Sequence, residues 1–171
     1  SDNTICAGDP FTLSGSIGGS APALTWSTSG SGSFDNAAIS NATYTPSATD
    51  ISNGTVTLTI TTNDPAGSCV PVSDDMVLSI STLPTAAAGA DDIVCSGSSY
   101  SLGGAIGGSA TSSTWTTSGT GTFNNPSLPN AIYTPSGGDV GTGTVTLTLA
   151  TNDPPGSCNA ATDDIVLTIE P

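Results

Sequence analysis

Alternating aliphatic and hydroxyl-bearing residues run along two matching stretches of this chain. In residues 55–61, Val56, Leu58 and Ile60 alternate with threonines. Successive side chains of an extended strand point to opposite faces, so the aliphatic groups share one face and the hydroxyls the other. Residues 144–149 show the same alternation. Each stretch therefore predicts a half-buried strand at the centre of a small sheet domain.

The chain contains two copies of one sequence repeat. The copies align at a spacing of 89 residues, and the alignment needs no gap. Residues that recur at this spacing include Cys6 and Cys95, Trp26 and Trp115, Tyr44 and Tyr133, Asp64 and Asp153, and Cys69 and Cys158. A period of this length suits a whole sandwich domain, because solenoid repeats run about 20 to 50 residues. We therefore predict two domains, residues 1–82 and 83–171, with a linker at about 82–90.

Shorter alternating segments surround the central strand of each repeat, and Gly, Pro and Ser clusters separate them. In repeat one they lie at residues 5–6, 11–17, 24–27, 43–45 and 76–80. No segment has a convincing helical period. The pattern predicts an all-β fold of two tandem immunoglobulin-like antiparallel β-sandwich domains, whose first and last strands run in parallel. Trp26 and Trp115 alternate with Thr and Ser, which favours a place in the core over a sugar-stacking surface.

Composition narrows the classes of function. The 171 residues include 14 acidic ones and no Lys, Arg or His, so the formal net charge is −14. Nothing can neutralise phosphate, which excludes nucleic acid and anionic lipid surfaces as partners. The usual general bases and amine nucleophiles are missing, so we predict that the chain is not an enzyme. No apolar run is long enough to span a membrane, and no membrane insertion is expected.

The four cysteines occur as one pair in each repeat. The simplest expectation is a disulfide within each repeat, joining Cys6 to Cys69 and Cys95 to Cys158. A redox-active or metal-binding thiol pair is less favoured, because neither a CxxC spacing nor any His is present. The extracellular-looking composition of the chain favours this disulfide pairing.

The acidic residues gather before the first strand, after the central strand and at the start of the last strand of each repeat. In repeat two these are Asp91, Asp92, Asp153, Asp163 and Asp164, and in repeat one Asp2, Asn3, Asp64, Asp74 and Asp75. In an immunoglobulin-like topology these places share one pole. Clustered carboxylates without basic partners suit a hard cation, so a calcium site is predicted as the one candidate cofactor site. The alternative is that these residues solvate turns and cap strand ends.

Several strings together resemble the tandem immunoglobulin-like or PKD-like repeats of large Bacteroidetes cell-surface proteins, including gliding-motility adhesins. They are residues 2–15, 26–34, 42–47, 54–65 and 73–80, with the linker string 84–95. The resemblance implies export, through the type 9 secretion system, and a filamentous stalk with an adhesive or motility role. No catalytic residues carry over.

These observations predict a stalk segment of an extracellular repetitive adhesin or cell-surface filament, whose partners are neighbouring repeats of the same chain. Two alternatives stay open. In one, loops such as residues 35–41 bind a glycan or another protein. In the other, the chain is a filament subunit that assembles with other copies.

Overall fold

The structure is a computed structural model that describes residues 1–19, 21–63 and 70–171. It divides into two compact units. Unit 1 comprises Ser1–Thr82 together with Pro155–Cys158, and unit 2 comprises Leu83–Pro154 together with Asn159–Pro171. A short segment of the second sequence repeat thus belongs structurally to unit 1.

Unit 1 contains seven strands and one short helix among its described residues. In chain order they are β1 (Asn3–Cys6), β2 (Phe11–Thr12), β3 (Leu24–Thr28), β4 (Ser33–Phe34), β5 (Thr43–Thr45), α1 (Ala48–Asn53), β6 (Thr55–Thr62) and β7 (Ser73–Ser81). One sheet has the order β1-β7-β6-β3 and the other β2-β5-β4. Strand β1 pairs in parallel with β7, and Cys6 lies opposite Ser81. All the other pairs are antiparallel.

Unit 2 repeats this plan and adds a small third sheet. In chain order its elements are β8 (Thr85–Ala87), β9 (Asp92–Cys95), β10 (Tyr100–Ser101), β11 (Ala105–Gly107), β12 (Ser113–Thr117), β13 (Thr122–Phe123), β14 (Ile132–Thr134), α2 (Gly137–Thr142), β15 (Thr144–Thr151) and β16 (Thr162–Glu170). The sheet orders are β12-β15-β16-β9, β10-β14-β13 and β11-β8. Strand β9 runs parallel to β16.

Each unit has its own hydrophobic core, built from the predicted inward faces. Val56, Leu58 and Ile60 of β6 are buried, while the threonines between them are partly exposed. Trp26 and Trp115 are also buried. The prediction of two all-β tandem domains is confirmed by this architecture.

Three local predictions need correction. Helices α1 and α2 were not expected, because six residues are too few to show a helical period. The strand predicted over residues 11–17 ends at Thr12, after which the N–H groups of Leu13 and Gly15 donate to a facing loop. Residues Thr85–Ala87, in the predicted linker, form strand β8 of unit 2. Residues 65–68, one of the Gly, Pro and Ser clusters predicted to separate strands, lie outside the described residues.

Candidate functional site

A disulfide at the end of β1 is the most distinctive site of unit 1. Cys6 is bonded to Cys158, with a Cα–Cα distance of 4.9 Å, and both residues are only 3% exposed. The predicted pairing within each repeat is therefore wrong for both of these cysteines. Cys69, the predicted partner of Cys6, lies outside the described residues.

The segment that carries Cys158 is seated on the last residues of β1. The Cys6 N–H donates to the Ser157 hydroxyl oxygen at 2.9 Å, and the Ser157 hydroxyl donates to the Asp9 carboxylate. Gly156 has a φ of +97°, and a Cβ added there would lie 3.0 Å from the Thr4 carbonyl oxygen. Only glycine fits this left-handed backbone and close approach without strain. The segment 156–158 therefore packs closely against the end of β1 that carries Cys6.

Cys95 is the repeat-two equivalent of Cys6, but its environment differs. It ends strand β9 as Cys6 ends β1, and it is exposed with a free thiol. Its predicted partner Cys158 is already bonded in unit 1. The pairing of these cysteines depends on where the loops lie in space, which the spacing along the chain does not show.

A buried carboxylate lies in the interior of unit 1. Asp50, 1% exposed, is the third residue of α1, and its carboxylate accepts the Ser47 N–H and the Ser31 N–H, both at 2.9 Å. The Tyr44 hydroxyl donates to it at 2.8 Å. Burial by itself raises the pKa of Asp50, but these hydrogen bonds outweigh burial and lower the pKa to about 2. The carboxylate is thus held ionised, which makes it a structural anchor and a poor proton acceptor.

Unit 2 contains the same arrangement around Asp139. Its carboxylate accepts the N–H groups of Thr120 and Ser136 at 2.8 and 2.9 Å and the Tyr133 hydroxyl at 2.7 Å. Burial opposes ionisation, yet these donors lower the pKa of Asp139 to about 2. In both helices the preceding Ser and this Asp cap each other's backbone N–H. Sequence reasoning missed both carboxylates, although Ser-x-x-Asp is a recognisable variant of the capping box.

The tyrosines that donate to these carboxylates remain protonated. Burial raises the pKa of the Tyr44 hydroxyl, and the neighbouring Asp50 charge raises it further. The same causes, led by burial, raise the pKa of Tyr133 beside Asp139. Each unit therefore contains an internal brace, which is a hydrogen bond from a buried neutral tyrosine hydroxyl to a buried aspartate carboxylate.

Several acidic residues of the predicted calcium set are engaged by backbone groups. Asp2 accepts the Val77 N–H at 3.0 Å, and its equivalent Asp91 accepts the Val166 N–H at 2.8 Å. These bonds pin the chain just before β1 and β9 to the neighbouring last strand. This is the structural role that the alternative interpretation assigned to them.

Two further members of the set make separate contacts in unit 2. Asp163 accepts the Ala88 N–H at 2.7 Å. Asp92 accepts the hydroxyl of Tyr100 at 3.1 Å. Burial raises the pKa of Tyr100, and the bond to Asp92 adds to that increase.

The remaining members are Asp74, Asp75, Asp153 and Asp164, all exposed, and Asp64, which lies outside the described residues. Within the described ranges, no three acidic or cysteine side chains come together where they could hold a metal ion. The described members of the set are thus not assembled into one cluster. Calcium binding stays a prediction.

The indole N–H of each tryptophan is bonded to a loop of its own unit. The Trp26 indole N–H donates to the Ile39 carbonyl at 3.1 Å, and the Trp115 indole donates to Pro129 at 3.0 Å. These bonds tie the loop between β4 and β5, and its counterpart in unit 2, to the core. The prediction that both tryptophans are core residues is confirmed.

The carboxylate that opens the loop at residues 35–41 is also bonded within its own unit. Asp35 accepts the N–H groups of Thr43 and Asn36, both at 2.7 Å. These bonds, led by the one from Thr43, lower the pKa of Asp35. In repeat two, Asn124 accepts the Ile132 N–H at the matching place.

Within the described part of the chain, no helix is long and apolar enough to cross a membrane.

No protein-family model matches the chain, and no curated protein sequence matches it. Solved structures of tandem immunoglobulin-like proteins do. The insect immune protein hemolin has a TM-score of 0.55 and 10% identity, over 99% of this chain and 45% of hemolin. The IG1+IG2 fragment of DIP-gamma has a TM-score of 0.51 and 14% identity, over 99% and 94% of the two chains. An I-band fragment of titin has a TM-score of 0.56 and 12% identity, over 99% and 62%.

At these identities the likeness concerns the fold alone. The chain spans less than half of hemolin and under two thirds of the titin fragment. The finding agrees with the sheet orders described above, and two tandem immunoglobulin-like sandwich units are the architecture of this protein.

Proposed function

We propose that this chain is a structural stalk segment of an extracellular repetitive adhesin or cell-surface filament, and that its work is mechanical. The proposal rests on the parallel pairing of β1 with β7, in which Asn3 lies opposite Leu78 and Cys6 lies opposite Ser81. In the reduced chain, tension enters unit 1 at the start of β1 and leaves at the end of β7, and because these strands run in parallel it loads their hydrogen bonds in shear, all at once. In the oxidised chain, the Cys6–Cys158 bond carries tension from the end of β1 directly to Cys158.

Unit 2 has the same terminal pair, since β9 lies parallel to β16 with Asp92 opposite Leu167 and Cys95 opposite Glu170. The internal braces at Asp50 and Asp139 support each sandwich separately. Folds of this kind recur in proteins such as titin and hemolin, the latter solved with implications for homophilic adhesion. A segment of successive sandwiches, each with its first and last strands paired in parallel, suits a stalk.

An extracellular location is part of the proposal. A disulfide persists in oxidising surroundings and is rare in reducing ones, and Cys6 and Cys158 form one here. We also propose that the protein is exported through the type 9 secretion system, which the family resemblance implies.

The test is stretching of single molecules by their two ends, first oxidised and then with a reductant. The two bonded cysteines are separated by 152 residues along the chain. At about 3.5 Å per residue, the disulfide therefore shortens the fully extended chain by roughly 500 Å. We expect the reduced chain to unfold in two discrete force peaks and the oxidised chain to stop roughly 500 Å shorter. A reduced chain that extends smoothly, without force peaks, would contradict the mechanical role.

A further inference from the structure

In unit 2, residues 83–88, the linker segment, cover part of the sandwich that they precede. Strand β8 of this segment pairs antiparallel with β11. Every second residue of the segment faces inward, since Pro84 and Ala88 are buried and Ala86 packs partly buried against the core. The Ala88 N–H donates to the Asp163 carboxylate at 2.7 Å. The linker segment is therefore a bonded part of unit 2.

Two glycines of unit 2 leave room for the linker segment. A Cβ added at Gly107 would lie 2.8 Å from the Thr85 hydroxyl oxygen. One added at Gly108 would overlap the Leu83 carbonyl oxygen. The φ of Gly107 is not in the left-handed region. The close approach of the linker segment is therefore what requires glycine at this position.

Unit 1 has the same receiving backbone without a strand on it. Residues 15–19 read Gly-Ser-Ile-Gly-Gly, against Gly-Ala-Ile-Gly-Gly at residues 104–108. The φ angles of Gly19 and Gly108 are +68° and +65°, so both stretches end in the same turn. Within the described ranges, however, no strand pairs with residues 16–18.

The surface of unit 1 beside residues 16–18 is an open groove of about 440 Å³, lined in part by Ile60 and Asp74. Asp74 is exposed and is the equivalent of Asp163, the residue that accepts the Ala88 N–H in unit 2. The groove thus presents an apolar side chain and a carboxylate acceptor to an incoming strand.

A smaller groove of about 220 Å³ continues from the first one. It shares Ser16 and Asp74 with the first groove and also reaches Ser1. Ser1 is the equivalent of Ala90, which follows the linker segment two residues after Ala88. A segment joined to Ser1 can therefore enter the groove directly.

Gly18, the equivalent of Gly107, has no function within unit 1 itself. Its φ is not in the left-handed region, and a Cβ added there would meet no described atom within 4 Å. A strand that crosses Gly18 as β8 crosses Gly107 supplies the missing reason for a glycine.

We propose that the groove of unit 1 is a docking site for the linker segment of a neighbouring repeat of the same polypeptide. The docked segment pairs antiparallel with residues 16–18, places small side chains inward as Ala86 and Ala88 do, and donates an N–H to Asp74. Strand β8 of a second copy is already paired with its own β11, which favours a neighbouring repeat as the source. The inference rests on the proposed stalk function and names how one repeat is joined to the next.

The experiment joins a copy of residues 82–89 to Ser1 of the full chain. Because Ser1 is the equivalent of Ala90, the added residues enter unit 1 in the register that the linker segment has in unit 2. The matched control is an extension of the same length with glutamine at the two positions copied from Ala86 and Ala88. Amide hydrogen exchange, followed by NMR, is measured on all three chains.

We expect exchange at residues 16–18 to slow by about tenfold or more in the extended chain, toward the rates of residues 105–107 in unit 2. The unextended chain and the control extension should both exchange fast at residues 16–18. Gly18→Val should restore fast exchange in the extended chain, because valine occupies the space that the Thr85 side chain takes beside Gly107. Exchange in β6 shows that unit 1 stays folded in every variant.

Three results would overturn the inference. They are fast exchange at residues 16–18 in the extended chain, equal protection by the control extension, and protection of residues 16–18 in the unextended chain. Protection of the unextended chain that rises with protein concentration would assign the groove to a second copy.

The stretching experiment tests the terminal strand pairs, β1 with β7 and β9 with β16, which do not include the groove residues. A failure of docking therefore leaves the mechanical proposal standing. A chain that unfolds without force peaks would leave the exchange result unchanged.

Discussion

The Tyr44 hydroxyl donates a hydrogen bond of 2.8 Å to the buried Asp50 carboxylate, and Tyr133 and Asp139 repeat this pair at 2.7 Å. Tyr44 lies on β5 and Asp50 on α1, so the bond fixes the helix against the small sheet. Because the same brace occurs in both units, it belongs to the repeat itself.

We expect Tyr44→Phe to destabilise unit 1. The substitution keeps the ring but removes a donor to a buried charge, which costs about 1.5 to 3 kcal/mol. Thermal or urea unfolding of the oxidised chain measures this loss. Tyr100→Phe is the matched control, because its hydroxyl bonds to Asp92 at an exposed site, and its effect should stay below about 0.5 kcal/mol. Equal losses in the two variants would contradict the brace.

The stability of both units should fall in strong acid. The folded-state pKa of Asp50, about 2, lies below the ordinary value of 3.8. A lowered pKa means that its stabilisation is complete above about pH 4 and is lost as the pH falls through about 2. The contribution is about 2 kcal/mol. Urea unfolding at a series of pH values measures it, and the difference between wild type and Asp50→Asn should shrink between pH 4 and pH 2. A constant difference would contradict the assignment.

Gly156→Ala should slow formation of the bridge between Cys6 and Cys158. The new Cβ would meet the Thr4 carbonyl oxygen at 3.0 Å, on a backbone whose φ is +97°. We expect a several-fold lower rate of disulfide formation after reduction, followed by alkylation and mass spectrometry. Gly141→Ala is the control, since a Cβ there meets nothing within 4 Å, and its rate should equal that of the wild type.

Gly137→Ala should stabilise unit 2. Gly137 is the first residue of α2, its equivalent in α1 is Ala48, and a Cβ there meets nothing within 4 Å. Replacing a helical glycine by alanine restricts the unfolded chain and adds about 0.4 to 1 kcal/mol. Gly143→Ala should act in the opposite direction, because Gly143 ends the helix at a φ of +78°. Urea unfolding distinguishes the two, and the same sign for both would contradict this reasoning.

The strands and the helices differed in how far the sequence could predict them. Val56, Leu58 and Ile60 reveal their strand because a period of two is visible within six residues. Helix α1 spans six residues, Ala48–Asn53, which is less than two turns. Its signals are local: Ser47 before it, Asp50 within it and Gly54 after it, as in a capping box followed by a glycine stop.

The acidic residues show the same division between pattern and placement. Asp2 and Asp91 were recognisable as a repeated pair near the first strand. Their hydrogen bonds to the N–H groups of Val77 and Val166 depend on the parallel pairing of the first and last strands. A carboxylate that precedes a strand looks the same in sequence whether a cation or a backbone amide engages it.

The sequence by itself determined the repeat, the two all-β units, the core tryptophans and the absence of basic side chains, because these follow from spacing and composition. Only the tertiary structure decided that Cys6 joins Cys158, that Cys95 is left exposed, and that Asp50 is buried beneath Tyr44. Two pairs of cysteines allow three connectivities. Which one forms depends on which loop approaches which strand, a relation between distant segments that no local pattern encodes.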